Sequence, residues 1–296
     1  MFKDIKQVMK DSVLYGIGNV AVKLVGFILI PLYTDAEYFS TADYGLMGLL
    51  EVTSQILIAV MGLSLYSGLI RWYWDAEYRD KQKTIFFTTL LFTILTSLCI
   101  GSVLWLNVGE LSALLVQQEG YSLGGELPYI LQLLILTSML GAVVEVPQNL
   151  LRLQRKPIYY SLTNIVRLFV TLVLTIYFTI SLHRGVSGVY EAQLVGIVIQ
   201  LLMVLPLVIK NSSCRVDRRC TIQLLVYSYP LVFPAIVGSL LTVFDRYIIN
   251  HFQGLDDVGF YSLGYKVGNT LKVFIVTSVQ LALTPLLMKK MNDPDN

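Results

Sequence analysis

The chain has little of the charge that a water-soluble protein carries on its surface. Only 14% of its 296 residues are charged, whereas 55% are hydrophobic, and its mean hydropathy is +0.66. Soluble domains carry roughly 25% charged residues, so too little polar surface is present here to cover a globule in water. The composition excludes an ordinary soluble domain and indicates that the lipid bilayer surrounds most of the chain.

Histidine and cysteine are also scarce. The two histidines, His183 and His251, fall at the edges of predicted loops, and Cys214 and Cys220 share a loop without the spacing of a zinc site. No nucleotide-binding glycine loop is present, and the basic residues form no stripe suited to nucleic acid. We therefore predict no metal, no cofactor, no catalytic residue and no nucleic-acid partner.

What the chain does have is eight long apolar segments. Each contains the roughly 17–25 apolar residues, or slightly more, that a helix needs to cross a hydrocarbon core about 30 Å thick. The sequence therefore predicts an all-α integral membrane protein. We place the helices at about residues 12–33, 45–70, 84–106, 127–150, 157–182, 187–209, 222–250 and 261–287.

Lys and Arg are sorted along the chain by connection. Every second connection is basic, and the intervening ones hold acidic residues and a single basic residue, Arg184. Cytoplasmic connections of membrane proteins retain Lys and Arg, so the sorting predicts a multi-pass inner-membrane protein with both termini in the cytoplasm. The sorted residues are Lys3, Lys6, Lys10, Arg71, Arg79, Lys81, Lys83, Arg152, Arg155, Lys156, Lys210, Arg215, Arg218, Arg219, Lys289 and Lys290.

Two local patterns refine this picture. Hydrophobic residues recur at helical spacing within residues 1–11, which predicts a short amphipathic helix at the inner membrane surface. Pro230 and Pro234 lie one turn apart in predicted helix seven, and each removes a backbone hydrogen bond. Helix seven is therefore the best candidate for a bent, moving helix.

A weak internal repeat suggests two halves. The tetrapeptide DYGL at 43–46 and the tetrapeptide DVGF at 257–260 superpose on a shift of 214 residues, which also aligns Tyr33 with Tyr247. Transporters are commonly built from two such halves. We therefore divide the chain into a complete six-helix lobe at 12–209, a cytoplasmic loop at 210–221, and the first two helices of a second lobe at 222–296.

Charged residues at membrane depth mark the candidate site, because each costs roughly 2.5–3.5 kcal/mol on insertion scales. One interpretation is neutralisation, with Lys23 paired to Glu51 and Lys266 to Asp245. The other is a water-filled cavity whose cationic excess binds an anionic or zwitterionic cargo. The acids Glu51, Glu145 and Asp245 are candidates for taking up protons that couple transport to ion flow. The binding candidates are Lys23, Asn19, Arg167, Arg246, Lys266 and Lys272.

Several stretches, in the same order along the chain, carry a family resemblance. They are 18–33 (GNVAVKLVGFILIPLY), 43–45 (DYG), 71–73 (RWY), 151–161 (LRLQRKPIYYS), 229–233 (YPLVF), 244–249 (FDRYII) and 258–266 (VGFYSLGYK). Together they resemble the polysaccharide-biosynthesis flippases of the multidrug/oligosaccharidyl-lipid/polysaccharide exporter superfamily, which also contains the MATE-type drug exporters. The likeness spans the whole chain.

The resemblance implies a MATE-like bacterial inner-membrane flippase that moves polyprenyl-pyrophosphate-linked oligosaccharide by alternating access. Such a protein takes part in lipopolysaccharide or capsule assembly, and its expected partners are other membrane proteins of glycan assembly. Two six-helix lobes would enclose a cavity lined by helices one and seven, which places Lys23 and Arg246 first among the binding candidates. Family members have 12 or 14 helices, so we expect this chain to be a C-terminally shortened form.

Three other functions compete with this interpretation. A cation-coupled multidrug antiporter of the same superfamily is disfavoured by the cationic excess. A membrane glycan polymerase or ligase is disfavoured because the longest outer connection, at about 107–126, holds three Glu but no His or other base. The third possibility is a non-transporting remnant or an accessory membrane subunit, and it remains because we expect the chain to be shortened.

Overall fold

The structure is a computed structural model, and it describes residues 28–115, 125–213 and 215–272. Throughout these ranges the regular elements are helices. They are α1 (Ile30–Tyr33), α2 (Thr41–Gly62), α3 (Leu65–Trp72), α4 (Gln82–Leu106), α5 (Val108–Leu115), α6 (Leu127–Leu153), α7 (Pro157–Ile176), α8 (Gly185–Asn211), α9 (Arg218–Phe252) and α10 (Leu255–Lys272). A 3₁₀ turn, Ala76–Lys81, precedes α4, and a π-helical turn, Tyr177–Ser181, extends α7.

Six of the described helices are long and apolar enough to cross a membrane. They are Thr41–Gly62, Tyr78–Leu106, Leu127–Leu153, Pro157–Ser181, Gly185–Asn211 and Arg218–Leu241. The prediction of an all-α, multi-pass membrane protein is confirmed. Most of predicted helices one and eight, and the predicted amphipathic helix at 1–11, lie outside the described residues.

The predicted starts of helices two and eight are wrong, because the helices begin at Thr41 and Leu255, four and six residues earlier than predicted. Ser40 and Asp43 form a capping box, in which the Ser40 Oγ accepts from the Asp43 N–H (3.1 Å) and the Asp43 carboxylate accepts from the Ser40 N–H (2.9 Å). Asp256 and Asp257 likewise occupy the first turn of α10. Carboxylates stabilise the positive end of a helix, so these acids begin helices and are not part of the connections.

Predicted helix two is also not continuous, because it breaks between α2 and α3. Leu63 and Ser64 both have left-handed backbone conformations, with φ of 44° and 50°. Each left-handed residue costs about 1–2 kcal/mol, so the surrounding structure must hold the break in place. The Thr96 hydroxyl donates to the Met61 carbonyl (2.8 Å), and the Ser64 hydroxyl donates to the Leu231 carbonyl on α9 (3.3 Å).

The α9 helix, by contrast, continues through both of its prolines. Residues Arg218–Phe252 form one helix of 35 residues that contains Pro230 and Pro234. The Leu231 carbonyl that accepts from Ser64 lies between these prolines. The break after α2 therefore packs against the proline-containing stretch of α9.

Three basic connections meet at one end of the bundle. Lys81 pairs with Asp217 (Nζ to Oδ2, 2.6 Å), and this hydrogen bond holds the pKa of Asp217 below its usual value. Gln154 donates to Asn211 (2.9 Å) and to the Tyr73 hydroxyl (3.2 Å). Beneath these contacts lies an apolar cluster that includes Phe86, Leu150 and Leu224. We call this side the basic end.

The opposite side of the bundle, which we call the acidic end, contains the one exception in the charge pattern. Arg184 lies here, and its guanidinium pairs with the Glu191 carboxylate (2.5 Å), which also accepts from the Tyr129 hydroxyl (2.9 Å). Asn250 of α9 donates to the Leu115 carbonyl (2.9 Å). Arg184 therefore has a carboxylate partner on its own side of the bundle, and it remains the one basic residue that the sequence places in an acidic connection.

The two copies of the internal repeat contact each other at the acidic end. Gly45 at the start of α2 packs against the backbone of α10, where an added Cβ would clash with the Leu255 carbonyl oxygen. Gly259 packs in the same way against the Thr41 carbonyl oxygen. Only glycine allows this approach, because a side chain at either position would separate the helices. The repeat therefore marks a reciprocal contact between helices two and eight.

Replacing Gly45 by Ala should destabilise the protein, whereas replacing Gly62 by Ala should not. Both glycines lie in α2, but an added Cβ meets backbone only at position 45 and has nothing within 4 Å at position 62. Overpacking costs about 1–3 kcal/mol, whereas alanine in a helix gains roughly 0.5–1 kcal/mol over glycine. Thermal unfolding in detergent measures the difference, and equal melting temperatures for the two variants would contradict the proposed contact.

Candidate functional site

Arg246 is the most buried of the described binding candidates. It lies on α9 with 7% of its surface exposed, and its Cζ is 5.0 Å from the centroid of the Tyr265 ring on α10. Its Nε has no hydrogen-bond partner among the residues that the structure describes. A guanidinium over an aromatic face keeps its in-plane donors available for hydrogen bonds.

Lys266 lies on α10 against two tyrosines from the start of the chain. Its Nζ is 5.4 Å from the centroid of the Tyr33 ring and 5.9 Å from that of Tyr44. The carboxylate of Glu51 attracts the ammonium of Lys266, and the guanidinium of Arg246 repels it. Glu51, Arg246 and Lys266 therefore share one electrostatic neighbourhood, although they come from three helices.

The acid beside Arg246 is held by a tyrosine. Asp245 accepts a hydrogen bond from the Tyr261 hydroxyl, and its other oxygen accepts from the backbone N–H of Arg246 (2.9 Å). Tyr247, two residues further along α9, shares a hydrogen bond with Thr53 of α2 (2.7 Å). These contacts hold the short segment around Arg246 to both α2 and α10.

The internal repeat explains this arrangement. The repeat aligns Tyr33 with Tyr247 and residue 52 with Lys266. Tyr33 lies beside Lys266 of the second half, and Tyr247 contacts Thr53 of the first half, so the two tyrosines reach nearly equivalent positions. Tyr247 meets the neutral hydroxyl of Thr53, whereas Tyr33 lies beside the ammonium of Lys266. The pseudo-symmetry is thus broken by charge at a contact between the two halves, and transporters built from repeats bind their substrates at the interface between the repeats.

We call Glu51, Asp245, Arg246 and Lys266 the charge cluster. The cluster holds two cations and two carboxylates, and the predicted cationic excess, which also counts Lys23, Arg167 and Lys272, stays a prediction. Both cations lie over tyrosine rings (Arg246 over Tyr265, and Lys266 over Tyr33 and Tyr44), in place of the Lys266–Asp245 ion pair that the sequence left open. Aromatic faces stabilise cations without replacing all of their hydrogen-bonding capacity.

Arg167 lies in a different place, inside a chain of amides between α6, α7 and α8. Its Nη1 donates to Gln200 (3.1 Å), and Gln200 donates to Asn164 (3.0 Å). Asn164 lies 3.5 Å from Gln148, which donates to Thr163 (2.9 Å). The amides are aligned in one direction, and such alignment strengthens each bond in a low-dielectric interior. We call these residues the amide chain.

The remaining candidates are not brought to the charge cluster. Glu145 is half-buried on α6, where the nearby charge is that of Arg152 at the basic end. Lys272 ends α10, but its side chain lies outside the described part, as do Lys23 and Asn19 altogether. Within the described ranges no group of three or more His, Cys, Asp or Glu is placed to hold a metal.

Sequence reasoning missed the neutral partners. Tyr265, Gln148 and Gln200 carry no charge, so they did not stand out among the apolar segments. A usable signal was present for Gln200, because it is an amide in the middle of an otherwise mostly apolar helix. Buried amides need partners, so each one indicates a neighbour with a matching donor or acceptor.

Comparison with known proteins adds a family and a fold. The family model described as polysaccharide biosynthesis protein matches residues 8–291. No curated protein sequence matches the chain. The MATE multidrug transporter DinF-BH, whose structure was solved as a complex, is similar with a TM-score of 0.71 at 15% identity, covering 95% of this chain and 64% of that one.

Two further solved structures show the same fold. A mutant of the Vibrio cholerae MATE transporter VcmN has a TM-score of 0.68 at 16% identity, covering 95% of this chain and 65% of that one. An inward-facing multidrug resistance MATE family transporter of the MOP superfamily has a TM-score of 0.62 at 15% identity, covering 94% and 63%. The chain therefore spans slightly less than two thirds of the length of these transporters.

The amide chain predicts coupling between Arg167 and Gln200. Replacing Gln200 by Leu should destabilise the protein by about 1.5–3 kcal/mol, because the buried guanidinium loses its acceptor. Adding Arg167→Met should recover most of that loss, since no buried charge then remains. Thermal unfolding of the two single variants and the double variant gives the coupling energy. Additive effects of the two substitutions would show that the bond contributes nothing.

Proposed function

This chain belongs to the polysaccharide biosynthesis protein family, and on that premise we propose that it acts in a flippase for polyprenyl-pyrophosphate-linked oligosaccharide. In this proposal it lies in the bacterial inner membrane with its basic end in the cytoplasm. Residues 12–209 form the first lobe and residues 222–296 begin the second. The cargo's polar head crosses between the lobes while its lipid tail stays in the bilayer.

The observation that carries the proposal is the environment of Arg246. This guanidinium is buried, lies over an aromatic ring, and has an Nε without a partner among the described residues. Burying a charge is costly unless it is hydrogen-bonded, so an arriving anion would satisfy it. A pyrophosphate offers several oxygens that match the paired donors of a guanidinium.

The other members of the charge cluster have complementary roles in this proposal. Lys266 contributes a second positive charge to the pyrophosphate, as a point charge. Glu51 and Asp245 are acceptors, which suits the hydroxyl groups of the attached sugars. Glu51 is exposed within a membrane-spanning helix, so its carboxylate is the more accessible of the two.

Replacing Arg246 by Ala should lower surface glycan about tenfold or more at unchanged protein abundance, because a charge-assisted contact to the cargo is lost. Lys266→Ala should lower it less, and Arg246→Lys should retain part of the activity. Lys210→Ala, which removes an exposed basic residue at the basic end, is the matched control. Surface glycan is measured in cells that depend on this gene, and normal glycan in Arg246→Ala would refute the cargo site.

A multidrug antiporter is the second candidate. The exposed carboxylate of Glu51 in a membrane-spanning helix would suit a cationic compound, and the similar solved structures are described as multidrug transporters. The two functions differ in which charge they need. Drug resistance that depends on Glu51 and not on Arg246, with normal surface glycan, would favour the antiporter.

Alternating access requires that α2 and α10 separate at the acidic end. Gly48 and Ser262 face each other there, with 3.0 Å between an added Cβ at 48 and the Cβ of Ser262. A small shift reaches the roughly 3.8 Å of a disulfide. With Cys99, Cys214 and Cys220 replaced by Ser, oxidation of a Gly48→Cys, Ser262→Cys variant should stop glycan delivery and reduction should restore it. Either cysteine alone is the control, and normal delivery by the cross-linked protein would contradict alternating access here.

A further inference from the structure

A shallow surface cavity of about 460 Å³, open along much of its mouth, lies between α3 and α9, apart from the charge cluster. It is lined by Ser67, Ile70 and Arg71 of α3 and by Tyr227 and Leu231 of α9. Tyr227 is about 14 Å along α9 from its start at the basic end, and Arg71 is in the last turn of α3. Because the cavity is open on one side, a ligand bound there would keep part of its surface in contact with the lipid or solvent outside.

The walls of the cavity are held by contacts above and below it. Ser64 donates to the Leu231 carbonyl at one side. On the other side Gly68 lies against Ser228 and Leu224, where an added Cβ would be 2.8 Å from the Ser228 Oγ. The break after α2 thus fixes α3 against α9, and the cavity is a built feature of that pair.

The lining combines three kinds of chemistry. Arg71 is exposed, forms no ion pair with a carboxylate of the described residues, and is positioned by Trp72, with its Cζ 5.0 Å from that ring centroid. Tyr227 is 38% exposed and packs edge-on against Trp72 (centroids 6.2 Å apart), so part of its surface remains at the cavity. Ile70 is 45% exposed and, with Leu231, supplies apolar surface.

We propose that this cavity is a docking site for the pyrophosphate–sugar head of a polyprenyl-linked saccharide in the cytoplasmic leaflet. Arg71 binds phosphate oxygens, the Tyr227 ring packs against the first sugar, and Ile70 and Leu231 contact the start of the prenyl chain. A free anion would leave the apolar wall unused, and an ordinary phospholipid has no sugar ring for Tyr227. The identity of this lipid rests on the proposed function.

The test uses the whole chain in detergent and native mass spectrometry of bound lipid. The probes are a polyprenyl diphosphate that carries one N-acetylhexosamine, and phosphatidylglycerol. In a chain that also carries Arg246→Ala, so that the charge cluster does not bind the same head, Arg71→Ala should weaken binding of the saccharide lipid about tenfold, because one charge-assisted contact is lost. The matched control is Arg79→Ala, which removes an exposed basic residue from the neighbouring 3₁₀ turn and should change binding less than about twofold.

Tyr227→Ala keeps every charge, so it should weaken binding of the saccharide lipid and leave binding of phosphatidylglycerol unchanged. Equal effects of Arg71→Ala and Arg79→Ala would overturn the proposal, since they would reflect only leaflet charge. Phosphatidylglycerol that displaces the saccharide lipid at equal concentration would also overturn it and would identify a general phospholipid site.

The two proposals fail in different ways. Loss of binding in Arg246→Ala with normal binding in Arg71→Ala would refute the docking site and leave the flippase proposal standing. A wild-type chain that binds phosphatidylglycerol but no saccharide lipid would refute both. Arg71→Lys, which keeps the charge but not the paired donors, should fall between wild type and Arg71→Ala. It serves as the second variant if Arg71→Ala does not fold.

Discussion

The backbone contact between the first turns of α2 and α10 is the constraint on which the rest of the described structure depends. Gly45 and Gly259 allow two helices from opposite halves to approach without side chains between them. Lys266 follows Gly259 by two turns, about 10 Å deeper in the bundle, and this approach brings it beside Tyr33 and Tyr44. The position of the charge cluster is therefore set by two residues that have no side chain.

The cluster keeps its charges in an apolar setting by means of aromatic rings. Tyrosine faces lie beside both Arg246 and Lys266, while Asp245 is held by the Tyr261 hydroxyl. Rings lower the cost of a buried cation but do not remove its charge. Arg71 lies beside the Trp72 ring at the basic end, so the same solution recurs there.

The membrane-spanning organisation could be predicted well from the sequence, because hydropathy and the sorting of Lys and Arg are local properties. It placed α4, α6, α7 and α8 to within a few residues. It failed at the break after α2, since no proline marks it and its hydrogen bonds come from Thr96 and from the α9 backbone. That information resides in residues distant along the chain.

The candidate site shows the same division between local and distant information. Depth along a helix was readable for Arg167 and Arg246, but depth does not say which way a residue faces within the bundle. The structure separates the two, with Arg167 bonded to Gln200 and Arg246 over Tyr265. The proximity of Asn164 to Arg167 along one helix face was readable, because it depends only on helical spacing.

The left-handed pair Leu63–Ser64 has a consequence for the energies of the conformational states. Two such residues raise the free energy of this arrangement by about 2–4 kcal/mol relative to an uninterrupted helix. In a state in which α2 and α3 join into one helix, this free energy is recovered. The recovery offsets part of the cost of breaking the hydrogen bond between Ser64 and Leu231. A small gap between two states lets a modest difference in cargo affinity shift their populations.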